Sequence, residues 1–226
     1  MNIQLRIPGR IRRKILGLFH RTYRREDIVR LGSGYGGWSI PSSLIDESTV
    51  CYCAGVGEDV TFDLELIRRF NCAVHAFDPT PAARRHVDTI EDLSEKFVYH
   101  QYGLWSSDDT LRFYAPKANH PGISHSAVNL HHTDTFFEAP VKSLRSIMTE
   151  LRHCSIDLLK MDIEGAEHKV LQHMRAENIW PRVLCVEFDQ PCSIFKIVAQ
   201  IRMLEKAGYF IVSTENWNYT FVKTNR

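Results

Sequence analysis

The sequence predicts an α/β protein built on a Rossmann-like, mostly parallel sheet, and three observations carry that prediction. An apolar run at 50–54 breaks into Gly55-Val56-Gly57, a helical pattern follows at 59–70, and a second apolar run at 73–77 ends on Asp78. Strand, glycine turn, helix, strand and acid, in that order, make an adenosine-binding half-unit. With 44% hydrophobic and 24% charged residues, the 226-residue chain can bury one sizeable core, which fits a single α/β domain carrying an N-terminal extension.

At the turn, glycine permits the positive φ angles and the close backbone approach that a Cβ would block. Asp78 lies about twenty residues further on, where a carboxylate at a strand end accepts hydrogen bonds from both ribose hydroxyls. Glu58 and Asp59 open the following helix and narrow the choice of cofactor. A helix N-terminus attracts anions, but two carboxylates there repel a phosphate. S-adenosylmethionine carries an ammonium, a carboxylate and a sulfonium and no phosphate, so it tolerates acids at this place. The alternative is that Glu58 and Asp59 only complement the helix dipole, worth roughly 0.3–1 kcal/mol each.

The formal net charge of +1 hides an asymmetry: residues 1–30 hold nine Lys or Arg against Glu26 and Asp27, leaving the remainder at about −6. A mildly acidic body argues against a broad basic groove for nucleic acid, where phosphate neutralisation supplies most of the affinity. The six cysteines, at 51, 53, 72, 154, 185 and 192, form no Cys-x-x-Cys pair. They read as small buried hydrophobes in a reducing, cytoplasmic compartment. Arg and Lys interrupt every apolar run before residue 31, so neither a secretory leader nor a membrane span is expected.

The chain divides into a basic extension, 1–31, and the catalytic-type domain, 32–226. Ile11, Ile15, Leu18 and Phe19 fall at helical spacing among the basic residues. Such an amphipathic segment suits peripheral contact with an anionic membrane surface, or it packs on its own domain. The glycine-rich, aromatic stretch 31–41 stands just before the first strand, as a cover for the cofactor mouth or as a packed loop.

Beyond Asp78, Pro79 and Pro81 open a helix through about Leu93, and 97–102 is the third strand. Leu104-Trp105-Ser106 follows it, where an adenine ring needs an apolar wall. Ser107-Asp108-Asp109 reads as a turn into 110–114, a hairpin added to the fold. Residues 115–139 read as a loop with His120, His125, His131 and His132; no pair has the i, i+4 geometry of a helical zinc site, and a substrate-facing lid is expected. Residues 156–161 form a strand, 162–175 a helix and 183–186 the next strand, ending at Glu187. An amphipathic helix at 193–206 and strands at 209–213 and 219–223 close the domain. Ligands of open α/β sheets bind beyond the carboxyl ends of the strands, so Asp78, Asp162, Glu164 and Glu187 converge on one crevice.

The run Leu159-Lys-Met-Asp-Ile-Glu-Gly-Ala-Glu167, followed by Val170-Leu171, resembles the signature of the FkbM-type S-adenosylmethionine-dependent methyltransferases. The glycine turn, Ala76-Phe77-Asp78-Pro79, Gly103-Leu104 and Val186-Glu187 are similar to that family in order and spacing, over roughly residues 32–222. The resemblance implies a class I (Rossmann-like) methyltransferase: a mostly parallel seven-stranded sheet with helices on both faces and an antiparallel C-terminal hairpin. It also implies S-adenosyl-L-methionine at Gly55 and Gly57, its ribose on Asp78, with Gly103, Leu104 and Asp162 beside it. Two departures stand out: Cys53 replaces an Asp found in many members, and Asp59 a Gly. The methionine end of the cofactor then falls to Glu58, Asp59 or a neighbouring backbone group.

Members of the family mostly methylate hydroxyl oxygens, which implies a sugar, glycolipid or secondary-metabolite acceptor. An alcohol is a poor nucleophile until its proton leaves, which calls for a base or a divalent metal. Asp162 is the first candidate base, with Glu164 or His125 second. The competing roles are structural: Glu164 and Glu167 stabilising a helix N-terminus, and Lys160 neutralising an acid. A hard cation on Asp162 and Glu187 is a further alternative. At the level of function, the rivals are a non-catalytic, cofactor-binding interaction module tethered through residues 1–30, and a nicotinamide-dependent oxidoreductase, whose pyrophosphate seat Glu58 and Asp59 would spoil.

Overall fold

The computed structural model describes residues 8–117, 124–130, 132–188 and 192–224. After α1 (Gly9–Leu16), the strands β1 (Ile28–Leu31) and β2 (Trp38–Pro41) pair antiparallel. Two βα units follow: β3 (Val50–Ala54), α2 (Thr61–Phe70), β4 (Ala73–Phe77), α3 (Pro81–Asp88), and then β5 (Phe97–His100). Three strands lie apart in a small sheet: β6 (Gly103–Trp105), β7 (Asp109–Tyr114) and β8 (Phe136–Ser143). The chain then runs through α4 (Leu144–Glu150), β9 (Leu158–Met161), α5 (Glu167–Ala176), β10 (Val183–Glu187), α6 (Ile194–Lys206), β11 (Tyr209–Glu215) and β12 (Asn218–Lys223).

The main sheet has the expected seven strands, in the order β11-β12-β10-β9-β3-β4-β5. From β10 to β5 every pair is parallel, and β12 runs against both its neighbours, which gives the closing antiparallel hairpin. The period of two in each strand sets the layers. Cys51, Cys53, Leu158 and Cys185 face α2, α3 and the β1–β2 hairpin, where Phe62, Leu66, Val87 and Trp38 are buried. Tyr52, Ala54, Leu159, Met161 and Val186 face the other way, onto Leu16, Ile147, Val170, Leu171, Ile197 and Leu204. Helices therefore cover both faces.

Three local expectations change. The helix after Asp78 starts where Pro81 and the Thr80 cap place it, Thr80 Oγ1 accepting from Ala83 N at 3.2 Å. It stops at Asp88, before a left-handed Asp92 at φ 55°. Strand β7 pairs with β8, not with the strand before it, and β8 also takes β6 on its other edge. The helix expected from Asp162 begins only at Glu167, because Glu164 and Gly165 adopt positive φ of 55° and 94° and interrupt any helical path.

The N-terminal helix lies against the domain. Leu16 is fully buried, Arg12 donates to the Cys192 carbonyl, and the Arg12 and Arg13 guanidinium groups stand 5.8 and 5.6 Å from the Trp217 ring centre. The boundary set at residue 31 falls at the end of β1, inside a hairpin. No described helix is long and apolar enough to cross a membrane.

Candidate functional site

A cavity of about 850 Å³ opens at the carboxyl ends of β3, β4, β9 and β10. It sits where the chain, having stepped from β3 outward to β4 and β5, returns on the other side of β3 as β9, the switch point at which open α/β sheets bind ligands. Gly55, Gly57, Glu58, Asp59, Asp78, Gly103, Leu104, His125, Asp162 and Glu164 all line it. Residues from five separate stretches of chain thus meet in one place.

The glycine turn is built by close approach. Gly55 has φ 84°, and a Cβ there would stand 1.7 Å from the Asp162 carbonyl oxygen. Gly57, at φ 56°, faces open space. The Lys160 ammonium donates to the Gly55 carbonyl at 2.6 Å. Asp78, 5% exposed, accepts from Val56 N at 3.0 Å and Gly57 N at 2.9 Å through one oxygen, and from Thr80 N at 2.8 Å and Thr80 Oγ1 at 2.6 Å through the other. It therefore clamps the turn to the start of α3, a task that sequence spacing alone does not reveal.

Asp59 has a different partner from the one its position suggests. Its carboxylate accepts from Ser33 Oγ, from Gly36 N at 3.2 Å and from Thr61 N at 2.9 Å. With Glu65 accepting from Gly32 N at 2.8 Å and Thr61 Oγ1 from Ser33 N at 2.7 Å, it straps residues 32–37 across the N-terminus of α2. The strap brings Tyr35 and Gly36 to the cavity wall. Glu58 is exposed at the rim. Neither acid at this helix start is presented deep in the cavity.

The acids after β9 and β10 make the opposite wall. Glu187 hydrogen-bonds to Asp162, and burial, together with the negative charge of Asp162, pushes its carboxyl up to about 10. It is therefore neutral at physiological pH and acts as a donor. Burial likewise raises Glu164, against a hydrogen bond from Ser124. Glu167 is pushed up to about 8 by burial while accepting from Ile163 N at 2.7 Å. This last residue holds the turn and does not line the cavity. The strained Glu164-Gly165 corner is held from above: Ser126 Oγ donates to the Glu164 carbonyl at 2.6 Å, and Val128 and Leu130 pack on Gly165.

Of the loop histidines, His125 lines the cavity, with its ring edge-on to Phe137 at 5.1 Å, and His132 does not. His120 and His131 lie outside the described residues. Among the described residues no group of three or more His, Cys, Asp or Glu is arranged to hold a metal ion.

Several lining residues escaped the sequence reading. Trp217 and Asn218 arrive from the turn after β11 and the start of β12, whereas Tyr35 belongs to the stretch 31–41 expected to cover the cofactor mouth. Phe113 comes from the small sheet. Asp63 was the one with a visible signal, because it shares the i, i+3, i+4 stripe of Leu66 and Ile67 and so places an acid on the buried side of α2.

The sequence profile of the methyltransferase FkbM domain matches residues 51–211. The human and rat proteins named "Probable methyltransferase-like protein 24" are 29% identical over 133 residues and 27% identical over 132 residues. Each match covers 58% of this chain and 30% of the relative, so the chain spans about a third of the length of these curated relatives. Among solved structures, the Methanococcus jannaschii fibrillarin pre-rRNA processing protein is 13% identical, covers 81% of this chain and 69% of that chain, and has a TM-score of 0.44. Aeropyrum pernix fibrillarin in complex with S-adenosyl-L-methionine is 8% identical, covers 90% of this chain and 85% of that chain, and has a TM-score of 0.42. A profile match that takes in the glycine turn, Asp78, the Asp162–Glu167 turn and Glu187 assigns the chain to the FkbM family of S-adenosylmethionine-dependent methyltransferases.

Proposed function

We propose that this methyltransferase acts on a hydroxyl oxygen of a sugar, glycolipid or secondary-metabolite acceptor, with Asp162 as the base. The observation that carries this reading is the convergence of Asp162, Glu164 and Glu187 on one wall of the cavity, beyond the carboxyl ends of β9 and β10. The cavity suits S-adenosylmethionine: the backbone is open beside Gly57, Asp63 keeps an unpaired oxygen, and a lining that includes Asp63, Asp162 and Glu164 disfavours a phosphate-bearing rival. When bound, S-adenosylmethionine supplies an electrophilic methyl group on a sulfonium.

The residues then divide the work. Gly55 and Gly57 admit the nucleoside, Gly103 and Leu104 wall its base, and Asp78 fixes the turn and faces the ribose. Asp162 Oδ takes the acceptor's hydroxyl proton, with Glu164 and His125 in reach of the same space as auxiliary groups. Glu187 limits the pair to one negative charge and orients Asp162. Tyr35 and Trp217 stand at the cavity wall, where a sugar-like ring would lie against them, and positioning of this kind supplies a large part of methyl-transfer catalysis.

Asp162→Asn tests the reading. Affinity for S-adenosylmethionine, measured by calorimetry, should stay within about threefold, while turnover falls by roughly 10²–10⁴, the range of a general base. Full turnover in that variant would defeat the assignment. The acceptor class is tested by labelled methyl transfer into lipid, glycan, protein and small-molecule fractions, with label expected in the glycan, glycolipid or small-molecule pools.

The free thiols fit a reducing, cytoplasmic setting. Exposed Ile11, Leu18 and Phe19 beside the basic residues of α1 favour peripheral contact with an anionic bilayer. Co-sedimentation with vesicles rich in phosphatidylserine, lost in Leu18→Glu/Phe19→Glu, is the expected result.

A further inference from the structure

Asp63 stands in the first turn of α2, 4% exposed, at the β3–β9 end of the cavity. Its Oδ1 has no hydrogen-bond partner in the protein, and the buried Cys53 thiol of β3 is a neighbour of the carboxyl. A buried carboxylate oxygen without a donor is costly, and such an exception in a ligand cavity points to a donor that arrives with the ligand.

The neighbours are already engaged. Asp59 holds the strap, Asp78 holds the glycine turn, and Glu187 and Asp162 hold each other. The Gly55 carbonyl, the backbone acceptor closest in sequence to this end, takes the Lys160 ammonium. Among the described acids lining the cavity near β3 and β9, Asp63 is the one that keeps a buried, unpaired oxygen.

We propose that Asp63 binds the α-ammonium group of S-adenosylmethionine, replacing Glu58 and Asp59 as the anchor of the methionine end. The inference rests on the reading of this cavity as the cofactor's seat. With the adenosine between the ends of β4 and the small sheet, beside Asp78, Gly103 and Leu104, the amino-acid tail extends toward β3 and β9, where Asp63 stands. The sulfonium has no N–H or O–H to donate; the ammonium has three donors and a full positive charge, the match for a buried carboxylate. Burial raises the Asp63 carboxyl to about 6 while Lys160 pulls it down, and an incoming ammonium would complete its ionisation. Cys53, the small residue across from Lys160 in the β3–β9 register, leaves room for the Asp63 side chain between sheet and helix.

The test is calorimetric binding of S-adenosylmethionine and of 5′-methylthioadenosine, which lacks the amino-acid end, to the wild type and to Asp63→Asn. The variant should lose about tenfold or more in affinity for S-adenosylmethionine and bind methylthioadenosine within about threefold of the wild type. Unchanged S-adenosylmethionine affinity, or parallel loss of both ligands, overturns the proposal. Should Asp63→Asn fail to fold, the wild type decides: the deaminated analogue with a hydroxyl in place of the ammonium should bind about tenfold more weakly, and equal binding overturns the proposal. Wild-type protein that binds neither ligand would instead overturn the cofactor-site reading on which it rests.

Discussion

Lys160 Nζ donates to the Gly55 carbonyl oxygen at 2.6 Å, joining the end of β9 to the glycine turn that follows β3. Lys160 is 7% exposed. Burial pulls its pKa down, but the carboxylates of Asp162 and Asp63 more than offset this, so the ammonium stays charged. Lys160→Met keeps the stem and removes the charge. A hydrogen bond from a charged group is worth about 1.5–3 kcal/mol, and the variant should lose about that much in urea unfolding, with weaker cofactor binding. A denaturation midpoint equal to the wild type's would show the bond to be dispensable.

The two turn glycines should respond differently to alanine. At Gly55 a Cβ would meet the Asp162 carbonyl at 1.7 Å, backbone against backbone, so β3 and β9 must separate. At Gly57 nothing lies within 4 Å, and only the left-handed φ of 56° is strained. Gly57→Ala should therefore cost about 1–2 kcal/mol, and Gly55→Ala considerably more, with loss of cofactor binding. Comparable melting temperatures for the two variants would contradict this geometry.

Asp59→Ala should free the strap. It removes the acceptor for Ser33 Oγ, Gly36 N and Thr61 N. The Thr61 N bond, made to a carboxylate, is by itself worth about 1.5–3 kcal/mol. Hydrogen exchange at the Gly36 amide should accelerate by at least about tenfold while the amides of β3 and β9 stay protected. Unaltered exchange at Gly36 would mean that the strap is held from elsewhere.

Away from the site, His75 Nδ1 lies 3.1 Å from His100 Nε2, and its ring meets those of His153 at 4.9 Å and Tyr52 at 5.7 Å. Burial, reinforced by His100 and His153, lowers its pKa to about 4. The charged groups facing the cluster are Lys142 and Glu150, which act on His100. A base whose folded pKa lies below its unfolded value of 6.5 is protonated first in the unfolded chain. Its contribution is therefore complete above pH 6.5 and lost as pH falls toward 4, by about 2 kcal/mol after discounting for solvent. His75→Phe should flatten the stability profile between pH 6.5 and 4; an unchanged acid slope would exclude this histidine as its source.

Local chemistry in the sequence determined most of the fold. Apolar runs of strand length, the glycine turn and Pro81 at a helix start act within a few residues, so they are legible without contacts. The acids at strand ends were legible for the same reason, because a parallel sheet delivers the carboxyl ends of its strands to one side. Only the tertiary structure decided what each acid does. Asp59 and Asp78 look alike as acids beside a turn, yet one ties a strap whose serine lies 26 residues upstream and the other clamps a turn 21 residues before it. Lys160 meets Gly55 across 105 residues, and Asp63 is left with an unpaired oxygen because the packing of α2 on the sheet puts no donor there. Hydrogen-bond partners depend on which strands become neighbours, and that is settled by the packing of the whole chain, whereas turns and periodicities are settled by the backbone preferences of a few adjacent residues.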